Sequence, residues 1–75
     1  MPDYSDDPLH ITLKSNIESL LNDQELTWTS MGRAADLSTS MITNIRHLKS
    51  TPSLVTLSKI ADALDVSVSD LVEGC

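Results

Sequence analysis

"WTSMGRAADLSTSMITNIRHL", residues 28–48, holds two runs of helical spacing separated by a break at Asp36-Leu37-Ser38. In the first run Met31 and Ala35 face one side, and Thr27, just ahead of it, is a candidate N-cap. In the second, Ile42 and Ile45 share one side of a helical wheel. Thr39, Ser40, Thr43, Asn44 and His47 make one continuous arc on the other side, and Ser38 is placed to cap the run. The arc carries hydrogen-bonding groups but no acid, in a chain with 11 acidic residues. The spacing predicts helices over 28–35 and 39–48. Gly32 inside the first costs about 1 kcal/mol relative to Ala, so a close approach of the second helix is expected there.

The pattern extends in both directions. Asp7 followed by Pro8 is a helix start, an N-cap with proline at the first helical position. Leu9, Leu13, Ile17 and Leu20 then form an apolar stripe over a helix at 8–22. Downstream, "STPS" is a turn, and Ser53 caps a helix over 54–64 with Leu54, Leu57, Ile60, Ala61 and Leu64 at helical spacing. Ser67 with Asp70 three residues later makes a capping box for a last helix at 68–73, whose apolar side is Val68, Leu71 and Val72. The expected fold is all-α, five short helices in a single domain over 8–75 behind an acidic arm at 1–7. No strand pattern competes, and five Gly and Pro residues leave little material for hairpins.

Composition bounds the function. Seventy-five residues, 40% apolar, allow one small core. Apolar runs never exceed two residues, so no membrane span is expected, and no basic segment leads into an apolar stretch as a signal peptide would. The one cysteine, Cys75, has no internal partner, which fits an exposed tail residue in a reduced, cytoplasmic protein. His10 and His47 lack nearby Cys, His or clustered acids, so neither metal nor cofactor is expected. No nucleophile–base pair, Gly-rich phosphate loop or carboxylate dyad is recognisable, and an enzyme is not expected. The net charge of −6 argues globally against a polyanionic partner. Its distribution qualifies this, because residues 26–50 carry Arg33, Arg46 and Lys49 against Asp36 alone, while both flanking segments are acidic.

Two helices about a three-residue turn suggest a helix-turn-helix unit. From Leu26 to about Val72 the chain, "LTWTSMGRAADLSTSMITNIRHLKSTPSLVTLSKIADALDVSVSDLV", resembles the lambda-repressor-like, Cro/CI-type (XRE) DNA-binding domains. The resemblance rests on the apolar positions, three caps and the loop length together. It implies that helix 39–48 is the recognition helix, with Ile42 and Ile45 buried and the polar arc in the major groove. Thr39, Ser40 and Asn44 match the family's base-reading positions, with Thr43 beside them; short hydroxyls let the helix approach, and Asn suits the adenine edge. Thr27 and Trp28 open the second helix where the family contacts phosphate. His47 and Lys49 match positions that commonly touch the DNA backbone.

The chain departs from the family at several positions. Asp36 and Leu48 stand where glycine is usual, and Trp28 stands where Gln is frequent. The helix-1 Arg and helix-3 Glu that many members pair are Leu21 and Arg46 here. Arg46 is left either to reach Glu18 or to point to DNA, and Trp28 either to pack on the edge of helices 2 and 3 or to meet a phosphate. Met31 and Met41 are expected as core and core-edge residues. The reading is a sequence-specific transcriptional regulator, a bacterial or phage repressor, bound to its operator as a homodimer through Val68, Leu71 and Val72. The alternative is a protein-interaction module on the same fold, partnered by an antirepressor or toxin.

Overall fold

Every helix begins where a short polar side chain closes its first turn. The computed structural model describes residues 6–73, with α1 (Pro8–Asp23), α2 (Trp28–Ala34), α3 (Thr39–Arg46), α4 (Leu54–Leu64) and α5 (Val68–Val72) and no strand among those residues. Most of the expected acidic arm, residues 1–5, and Cys75 lie outside the described residues. The Asp7 carboxylate accepts the Leu9 N–H at 3.1 Å. Thr27, Ser38 and Ser53 accept the N–H groups of Ser30, Met41 and Thr56. Ser67 and Asp70 complete the reciprocal box. These are the five caps that the sequence predicts.

The helix ends depart from the sequence reading. α2 stops at Ala34, α3 at Arg46 and α5 at Val72, each short of the expected 35, 48 and 73, while α1 runs one residue longer, to Asp23. The cause in α2 and α3 is a left-handed residue soon after the last turn, Asp36 at φ 58° and Leu48 at φ 59°. It lets the Leu37 N–H reach back to the Gly32 carbonyl at 2.9 Å, and the Lys49 N–H to that of Asn44 at 2.8 Å. Glu25 and Asp65 end α1 and α4 the same way, with Leu26 N–H on Leu21 O and Val66 N–H on Ala61 O. A side chain in that conformation costs roughly 1–2 kcal/mol, which glycine would avoid. The residue that closes three of these ends, Leu26, Leu37 and Val66, packs against the core; at the end of α3 the place belongs to exposed Lys49.

The core is built from every helix. Ile17, Met31, Ile60, Leu64 and Leu71 are fully enclosed, and Leu13, Leu21, Trp28, Ala35, Ile42, Ile45 and Ala61 surround them. α1 packs on α5, and α2 on α3 and α4. Two expected stripe residues are not in it: Leu9 is 55% and Leu54 72% exposed. Both occupy first turns, and a helical Cβ tilts toward the N-terminus, so these side chains project past the helix end. Leu21, not Leu20, completes the buried side of α1, with Leu20 half-buried beside it.

Polar tethers then hold the helices in place. Asn16 Nδ2 donates to the carbonyls of Leu71 and Glu73, both at 2.8 Å, tying α1 to the end of α5. Gln24 Nε2 donates to Leu64 O at 2.6 Å, joining the end of α1 to that of α4. His10 bridges Asp7 and Thr51. At Gly32 a Cβ would stand 2.7 Å from Ile42 Cγ1, so the absence of a side chain is what lets α2 and α3 meet this closely.

Candidate nucleic-acid interface

α3 is held from beneath. Ile42 is 7% and Ile45 4% exposed, and both insert against α2 and the core behind it. Their burial fixes the rotation of the helix and turns Thr39, Ser40, Thr43, Asn44 and His47 outward, all five exposed, as the sequence predicts. None of the four hydroxyl and amide side chains of that arc is hydrogen-bonded to any described residue. Met41 marks one edge of the arc: it is 40% exposed and its Sδ accepts from the buried Thr56 hydroxyl at 3.8 Å, a core-edge position. At the other edge stands Arg46, which falls about 20° from Thr39 at 100° per residue.

A groove of about 150 Å³ runs between α2 and α3, lined by Thr29, Arg33, Thr39, Thr43, Arg46 and His47 over a floor that includes Trp28 and Ile42. No carboxylate lines it. A larger, more open recess of about 600 Å³ lies on the α1 side and shares Trp28, Thr29 and Arg46 with it, adding Glu18, Asn22 and Thr27. Although Arg46 and Glu18 border the same recess, no ion pair joins them. Of the two courses open to Arg46, the one toward Glu18 is not taken.

The remaining expected contact residues have distinct settings. The Trp28 ring is buried at 8% exposure as part of the core cluster. Its indole N–H makes no hydrogen bond within the described residues, and no buried side-chain donor is left without a partner, so it reaches solvent. Packing of the ring and an outward N–H therefore coexist. The Thr27 oxygen is engaged by its cap, with the Ser30 N–H and hydroxyl both at 3.0 Å. His47 and Lys49 are exposed just beyond α3. On α5, Leu71 is 0% exposed and belongs to this chain's own core. Val68 and Val72 are half-buried against the core. Arg46 keeps the course toward DNA that the missing Arg–Glu pair left open to it, whereas Arg33, which sequence reasoning did not single out as a contact, joins it only through the fold.

No helix among the described residues is long and apolar enough to cross a membrane, and they contain no cluster of three metal-ligating side chains. No curated protein and no solved structure matches the chain. A family model for the Cro/C1-type HTH DNA-binding domain matches residues 16–73, reaching back into α1 beyond the Leu26 start of the resemblance. With the caps of α2 to α5, the turn and the outward polar arc all inside that span, the chain belongs to the Cro/C1-type helix-turn-helix DNA-binding domains.

Proposed function

We propose that this DNA-binding domain is a sequence-specific transcriptional regulator, a repressor of bacterial or phage type acting in the cytoplasm, that reads the major groove with α3. Thr39, Ser40, Thr43 and Asn44 contact base edges, Asn44 bidentately to adenine and the hydroxyls to either base type. Thr27, Trp28, His47 and Lys49 hold the DNA backbone and set the register. The observation that carries the reading is the arc itself: four short polar side chains, exposed, without partners in the described residues, over two buried isoleucines.

A helix of 8 residues reads few base pairs, and five cations gain little from phosphates, so two copies on half-sites one turn apart double both contributions. With Leu71 enclosed, the dimer surface rests on Val68 and Val72 and on the apolar groove that Val72 shares with Leu9, Pro52 and Leu57. This surface is small. The protein is then a monomer, or a monomer–dimer mixture, in dilute solution and two protomers on the operator.

The competing reading is a protein-interaction module that meets an antirepressor or toxin, and the net charge of −6 favours it. Selection of duplexes from a random pool, followed by salt titration and sedimentation of the complex, separates the two. A regulator enriches one near-palindromic site, releases it steeply with salt and binds it as two protomers. An interaction module enriches no sequence at any salt concentration.

A further inference from the structure

We propose that the groove between α2 and α3 is a phosphate clamp in which Arg33 and Arg46, with His47 and the Thr29 hydroxyl, hold one DNA backbone strand beside the recognition helix. The proposal rests on the DNA-binding reading and adds to it the residues that supply its affinity. Only five cations exist in the chain against 11 acids, so where they stand decides what polyanion attraction remains. Two of the five line this one groove, no carboxylate does, and neither guanidinium pairs with a carboxylate among the described residues. The recess on the α1 side is larger, yet a phosphate seated there would face Glu18 as well as Arg46.

The placement also follows from the helix. Arg46 lies almost in line with Thr39 on the wheel but seven residues later, about 10 Å along the axis, so it flanks the base-facing arc on the α2 side without entering it. Arg33 extends the same positive edge from α2, where it is exposed near that helix's end. A guanidinium offers a planar pair of donors matched to phosphate oxygens, and the neighbouring Thr29 hydroxyl supplies a further donor. In the family as the sequence resembles it, a helix-1 Arg is occupied by a helix-3 Glu. Here the cation is on α3 itself and pairs with no carboxylate among the described residues, which leaves it available to DNA.

The test compares wild type with Arg33→Gln, Arg46→Gln, the double variant, Arg46→Lys and the control Lys59→Gln, whose side chain lies on α4 and does not line the groove. Affinity for the selected duplex and for a scrambled one is measured between 50 and 300 mM salt. Each Arg→Gln change should lower the slope of log affinity against log salt by about 0.9, and the double change by nearly 2. The loss should be equal on both duplexes, with base preference and melting temperature unchanged. Arg46→Lys should restore most of the slope and Lys59→Gln should leave it alone. An unaltered slope in the double variant, while wild type binds, overturns the clamp. So does a shift in base preference, which would make these arginines base readers. If wild type binds neither duplex at low salt, the DNA reading falls and the clamp with it.

Discussion

Asn16 and Asn44 are the same residue on two helices, with opposite fates. On α1, Asn16 is half-buried and its side-chain amide donates to two carbonyls at the end of α5. On α3, Asn44 is exposed and its side chain is hydrogen-bonded to no described residue. The contrast holds for their neighbours. Gln24 joins the end of α1 to that of α4, and Ser53 and Ser67 cap helix starts, whereas the side chains of Thr39, Ser40 and Thr43 are bonded to no described residue. One region uses polar groups to build the fold; the other presents them outward on a rigid base. Composition does not distinguish the two, and position in the fold does.

The comparison breaks most completely if the base beneath α3 is removed. Ile42→Asp sets an unpaired carboxylate among apolar side chains, at a cost of several kcal/mol. Helicity and DNA binding should be lost together. A variant that stays helical and melts cooperatively would mean that Ile42 does not anchor the recognition helix. A milder change sharpens the other side. Asn16→Ala removes two bonds to backbone carbonyls, and stability should fall by about 1–2 kcal/mol, lowering the melting temperature by several degrees. Base preference should be untouched. An unchanged melting temperature would show that the α1–α5 tether carries no weight.

The smallest effect concerns the turn between the two helices. Asp36→Gly relieves a left-handed side chain but frees the unfolded chain, for a net gain of about 0.5 kcal/mol. Melting should shift upward by a few degrees or less, with affinity for DNA retained. A lower melting temperature would contradict the left-handed turn at Asp36.

Much of this architecture was legible because the caps are local. Asp7, Thr27, Ser38, Ser53 and Ser67 each satisfy an N–H within three residues, so sequence spacing suffices to find them. The ends of α2 and α3 were not, since Asp36 and Leu48 adopt the conformation that glycine would announce. Nor does periodicity tell which apolar residue of a first turn overhangs the core, as Leu9 and Leu54 do. Tethers such as Asn16 to α5 span more than fifty residues and leave no trace in local pattern. The polar arc was readable for the same reason as the caps: it lies on one helix. The positive groove joins two helices, and only the fold brings Arg33 and Arg46 to it.

Whether the exposed polar face of α3 reads DNA bases is decided by Asn44→Ala. Competitive binding of the variant and wild type to the selected site and to each single-base substitution of it gives the discrimination at every position. The expected result is a loss of about 1–3 kcal/mol, roughly 5–150-fold, confined to one base pair of each half-site, with the melting temperature unchanged. Equal affinity and unchanged base preference in a fully folded variant would contradict it.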